Sequence, residues 1–77
     1  MSGIVKEENK HKMKIVEDRD TVWIMRWSPY FGNYVKTAWI DHDKKEIRPC
    51  HGYYITHHIG LLNEKYAKRI GYIFNNT

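Results

Sequence analysis

The 77-residue sequence predicts an α+β domain, a small three- to four-stranded antiparallel meander from Lys12 to about Thr56 with one C-terminal helix packed on one face. Three observations predict it. Between Lys12 and Thr56, runs of β-branched and aromatic residues are separated by clusters rich in Asp, Gly, Asn and Pro. From Ile59 onward the apolar spacing changes to steps of three and four. The length admits one domain, residues 12–77, preceded by an arm at 1–11.

The arm is polar, carries Ser2 and Gly3 near its start and shows no period, so it is expected to be flexible. Between Lys12 and Glu17, Met13 and Ile15 alternate with Lys12, Lys14 and Val16, which reads as a first strand. Asp18, Arg19 and Asp20 make a charged turn before Thr21–Ser28, the most strand-like stretch of the chain. There Trp23, Met25 and Trp27 fall on one face and Val22, Ile24 and Arg26 on the other. Both faces are largely apolar, so a central strand covered on both sides is expected.

Ser28-Pro29-Tyr30-Phe31-Gly32-Asn33 supplies a hairpin turn, with Pro29 fixing φ and Gly32-Asn33 suited to positive φ. The returning arm, Tyr34 to Asp41, alternates Tyr34, Lys36, Ala38 and Ile40 against Val35, Thr37 and Trp39. Asp41-His42-Asp43-Lys44-Lys45 is a polar turn, and Glu46-Ile47-Arg48 a short strand that Pro49 ends or confines to an edge. Tyr53 to Thr56 reads as a last strand.

Ile59, Leu62, Tyr66, Ile70 and Ile73 then fall within about 80° on a helical wheel, with Glu64 and Lys68 opposite. The expected helix runs from about Leu61 to Ile70 and packs through Leu62, Tyr66 and Ile70. Gly71 suits the left-handed residue after its end, and Lys68 and Arg69 complement the negative end of its dipole. Thr56 would cap an early start and Asn63 a late one, with Gly60 between them.

Apolar residues are 42% of the chain and charged residues 29%, enough to collapse and too short for a doubly wound sheet or a barrel. At this size only about 60% of the unfolded surface is buried on folding, so stability depends on well-packed rings or on a partner. Cys50 is the only cysteine, which excludes an intramolecular disulfide and favours a reducing compartment. Met1 to Lys14 holds no apolar run of the secretory or membrane-spanning kind. The expected location is the cytoplasm, a host's if the chain is phage-encoded. Phe, Tyr, Met, Ile, Asn and Lys total 34 residues against 13 for Gly, Ala, Arg and Pro, a skew that fits an AT-rich genome of phage or mobile-element type.

Catalytic constellations are thin. Cys50-His51 and His57-His58 do not match the paired spacings of structural zinc, and adjacent histidines diverge on a strand or helix, so no metal set is expected from them or from His42. The run Ile40-Asp41-His42-Asp43, with Arg48 and Asn63, resembles the core of the ββα-metal (HNH, endonuclease VII) nucleases over about a third of the chain. That resemblance implies a single divalent ion held by an acidic residue, a histidine and a helix asparagine. The sequence lacks that family's flanking Cys-x₂-Cys pairs and its repeated helix ligand, and a solvated hairpin turn accounts for the run. His51 is a sequence neighbour of Cys50 and so points away from it, and no Gly-rich phosphate cradle occurs. The chain reads as no enzyme, with no cofactor.

Two kinds of macromolecule remain. Tyr30, Phe31 and Tyr34 surround one turn and Tyr53 and Tyr54 another, and exposed loop aromatics concentrate binding energy, so these five are the expected contacts for a protein partner. A net charge of +4 and eleven aromatic residues suit nucleic acid instead, with Lys44, Lys45, Arg48, Lys65, Lys68 and Arg69 as contacts. No segment concentrates that charge, since residues 1–20 carry five positive and five negative side chains. The protein reading is preferred: a small accessory or inhibitor protein of phage type, in host takeover or anti-defence. One helix covers one sheet face, so a homodimer, a host target or the arm is expected to cover the other.

Overall fold

The computed structural model describes residues 13–76. The expected arm at 1–11, and Lys12 at the start of the first strand, lie outside the described residues. Five strands and one helix follow in chain order: β1 Met13–Asp18, β2 Thr21–Ser28, β3 Asn33–Asp41, β4 Glu46–Pro49, α1 His57–Ile70 and β5 Ile73–Phe74. They form one sheet in the order β1-β2-β3-β4-β5. The first four strands are the antiparallel meander the sequence predicts, and α1 packs on one face. The fifth strand was not expected. It returns beyond α1 and pairs in parallel with β4, Glu46 opposite Ile73 and Ile47 opposite Phe74.

The turns follow their residues. Gly32 takes φ 63° at the β2–β3 turn, where its N–H donates to Ser28 O at 2.8 Å. In the β3–β4 turn, Asp41 Oδ1 accepts from the N–H groups of Asp43 and Lys44 at 3.1 and 3.2 Å. Tyr53 to Thr56 is not a strand. It is a turn closed by Ile55 N–H donating to Gly52 O at 3.0 Å, and the helix begins directly after it.

The helix start is settled by Thr56. Its backbone is extended and its hydroxyl accepts from Ile59 N–H at 3.2 Å, so α1 opens at His57, four residues before the expected Leu61. Gly71 ends it at φ 78°, with Gly71 N–H on Lys68 O and Tyr72 N–H on Ala67 O, the paired bonds of a Schellman turn. That reversal carries Ile73 out of the helix and onto the sheet edge, where it is exposed rather than part of the apolar stripe.

The core is Ile24, Ala38, Ile40 and Ile47 from the sheet against Ala67 from the helix, flanked by half-buried Met13, Val22, Tyr66, Ile70, Tyr72 and Phe74. The helix therefore buries Asn63 and Ala67 most deeply, with Leu62, Tyr66 and Ile70 at its margins. A β-bulge sets the faces. Ile24 pairs with Ala38 but Met25 with Lys36, which leaves Thr37 without a ladder partner. The uniform alternation expected for the returning arm is thus broken: Tyr34, Lys36 and Trp39 share the face away from the helix, while Val35, Ala38 and Ile40 face it. Within the described residues, the outer face of β2 is screened in part by long side chains of the sheet itself, with Trp23, Met25 and Trp27 half-buried. Lys36 Nζ lies 4.5 Å from the Trp23 ring centroid, and Lys14 Nζ lies 4.5 Å from that of Tyr34.

Candidate protein-docking site

The two loops that carry the expected contacts meet at one end of the sheet. Cys50 N–H donates to Thr37 O at 2.9 Å, which extends the line of β4 alongside β3 toward the β2–β3 turn. Tyr53 and Tyr54 are thereby delivered to Tyr30 and Phe31. The ring centroids are 4.9 Å apart for Tyr30–Phe31, 5.9 Å for Tyr30–Tyr53, 5.5 Å for Phe31–Tyr54 and 5.8 Å for Tyr53–Tyr54. Phe31 and Tyr53 complete the set at 6.4 Å. All are edge-to-face, the arrangement the ring quadrupole favours.

Burial separates the four rings into a base and a tip. Tyr54 is half-buried, its hydroxyl at a long 3.5 Å from Lys36 O, whereas Tyr30, Phe31 and Tyr53 are 74, 47 and 79% exposed. Gly52 makes the base possible. A Cβ there would stand 2.7 Å from Tyr54 Cε1, so only glycine lets the ring lie against the backbone and reach Phe31. Ser28 holds the other loop, its hydroxyl accepting from Phe31 N–H at 3.3 Å. Tyr34 lies on the outer sheet face, with its ring 5.5 Å from Trp27 and under Lys14.

The cations expected to serve nucleic acid are spread over different surfaces. Lys44 and Lys45 lie in the β3–β4 turn. Arg48 is on the outer face, its Nε 3.3 Å from Glu46 Oε1, and its neighbour Lys36 is 3.7 Å from Asp18. Lys65 and Arg69 lie on the helix side, across the sheet from Arg48, where they border a groove with Arg26. Lys68 occupies the last turn of α1.

Residues of the nuclease-like run do not converge. Asn63 is buried in the interior, where its side-chain oxygen accepts from Arg26 Nε at 2.7 Å and its amide donates to Thr37 Oγ1 at 3.1 Å. Thr37 in turn donates to Ile24 O at 2.9 Å, so the bulge is tied by one polar chain. Asp41 serves its own turn and His42 Nδ1 pairs with the Tyr72 hydroxyl at 2.7 Å. His51, His57 and Cys50 line one shallow groove with Glu64, while His58 is exposed on α1. Burial raises the Cys50 thiol above its ordinary pKa, opposed in part by the charge on Lys36. Among the described residues no group of three or more His, Cys, Asp or Glu is placed to hold a metal, and no helix is long and apolar enough to cross a membrane.

Sequence reasoning missed Arg26 and Thr37 as interior polar residues and gave Asn63 a cap or ligand role. The available signal was positional: Asn63 stands one turn before Ala67, on the side of the helix adjoining the apolar stripe. No family model, no curated protein and no solved structure matches the chain.

Proposed function

We propose that this protein is a non-catalytic module that docks on a protein partner through Tyr30, Phe31, Tyr53 and Tyr54, as an accessory or inhibitor of phage or mobile-element type working in the cytoplasm. One observation carries the reading: three exposed rings from two separate loops are packed on one another and on a fourth. Rings held in place before binding lose little freedom on docking, and tyrosine brings a large contact area with few rotatable bonds. The patch is neutral and exposed, so it fits an apolar cleft whose rim offers backbone carbonyls to the tyrosine hydroxyls. A nucleic-acid strand would need cations among these rings, and the ring-bound lysines are Lys14 and Lys36 on the outer face.

The test is capture of a partner with the full chain, then titration of the purified pair against Tyr30→Ala and Tyr53→Ala. Each change is expected to cost about 2 kcal/mol or more of binding, with circular dichroism and melting temperature unaltered. A partner held equally well by both variants overturns the assignment, as does binding that disappears when salt is raised. The nucleic-acid reading is favoured by a different feature, the cations around Arg26, which no ion pair engages among the described residues.

A further inference from the structure

From the groove between α1 and the β1–β2 ladder we infer a binding site for a dianionic phosphate monoester, formed by Arg26, Lys65 and Arg69. The groove has a volume of about 400 Å³ and is lined by Met13, Arg26, Leu62, Lys65, Tyr66 and Arg69. Three of its six lining residues are cationic and none is acidic. On the outer face, by contrast, Lys36 and Arg48 are paired with Asp18 and Glu46. No ion pair engages Arg26, Lys65 or Arg69 among the described residues.

Arg26 is the decisive member. It is half-buried where the helix meets the sheet, and burial draws its guanidinium below its ordinary pKa. Its Nε is fixed on the neutral Asn63 oxygen at 2.7 Å and its Nη2 on the Met13 sulfur at 3.6 Å, so neither contact neutralises the charge. No buried nitrogen of the described side chains lacks a partner, so the guanidinium nitrogen left without one is solvent-accessible, and Arg26 lines the groove. A partly desolvated cation without a counter-charge is costly, and it is pre-positioned here by Asn63.

The chemistry of the anion follows from the donors. Two guanidinium groups and one ammonium line the same groove from β2 and α1. A carboxylate brings two oxygens and about one charge, whereas a terminal phosphate brings three free oxygens and up to two charges. Leu62, Met13 and the Tyr66 ring border the cations and suit an organic substituent on the phosphate. Such a group occurs on a free phosphomonoester and at the 5′ end of a nucleic-acid strand.

The test is an amide NMR titration of the full chain at fixed ionic strength. The probes are adenosine 5′-monophosphate, adenosine, and an octathymidylate with a 5′-phosphate or a 5′-hydroxyl. The nucleotide is expected to saturate at residues 26 and 62–69 while adenosine does not. Lys65→Ala/Arg69→Ala, both exposed positions, is expected to weaken it at least tenfold, and Lys44→Ala/Lys45→Ala to leave it unchanged. A 5′-phosphorylated strand binding tenfold tighter than the nucleotide assigns the site to strand ends, and equal binding assigns it to free monoesters. Absence of a saturable change at about 10 mM nucleotide overturns the proposal. So does an equal loss in both double variants, or equal binding of the two oligonucleotides with no competition by the nucleotide.

Discussion

Asn63 shows how much one side chain decides here. It is 1% exposed and links Arg26 on β2 to Thr37 in the β3 bulge, so it joins the helix to the sheet through polar contacts inside an otherwise apolar core. Asn63→Ala removes the acceptor for a charged donor and one partner of a buried hydroxyl. We expect a loss of about 2–3 kcal/mol in urea unfolding, more than a surface change on the same helix such as Lys68→Ala. An unchanged midpoint would mean the network contributes nothing. Little of this was legible, because a lone asparagine in an amphipathic pattern reads as a cap, and its partners come from strands 26 and 37 residues away. Gly52 is the second decisive residue. With a Cβ 2.7 Å from Tyr54 Cε1, Gly52→Ala forces the ring off Phe31 and loosens the base of the aromatic patch. Affinity for a captured partner is expected to drop roughly tenfold, about 1.4 kcal/mol, while melting shifts little. A drop in melting temperature with unaltered affinity would make Gly52 structural only.

At the level of elements, the meander was readable because Val22, Ile24, Trp23 and Trp39 carry strand preference and the turns carry Asp, Gly and Pro. What was not readable has local causes. The bulge at Thr37 depends on a hydroxyl reaching Ile24 O across the ladder, which no period reveals. The two residues of β5 are too short for a pattern, and Gly71 redirects the chain before them. The helix start was ambiguous because its first turn contains no acidic residue, leaving Thr56 as the one capping group. That makes Thr56 worth more than a cap with acidic support. Thr56→Ala is expected to cost about 1 kcal/mol, and Thr56→Ser to restore it. In a domain of this size the loss lowers the melting temperature by about 4–8 °C. Equal melting of the two variants would show that the cap is dispensable.

Over the whole molecule, the aromatic set and the charge set occupy different ground, which the sequence suggested only in part. Both aromatic loops could be named from rings near turns, but not that they meet; the fold brings four of the five rings together. Tyr34 could not be placed, since the hairpin register turns it onto the outer face beside Trp27. Lys65 and Arg69 were named as cations, but Arg26 was read as an ordinary strand residue, so the groove they share was invisible before folding. Two surfaces of unlike chemistry should respond to conditions independently. Raising sodium chloride from about 0.05 to 0.5 M shortens the screening length severalfold, so anion binding at the Arg26 groove should weaken by tenfold or more. Docking through the neutral patch should change by less than about threefold over the same range. Tyr30→Ala should weaken only docking, and Lys65→Ala/Arg69→Ala only anion binding, with the combined variant weakening both additively. If salt or either variant moved both binding events together, the two surfaces would be parts of one interface, and the patch would be the apolar end of a basic site.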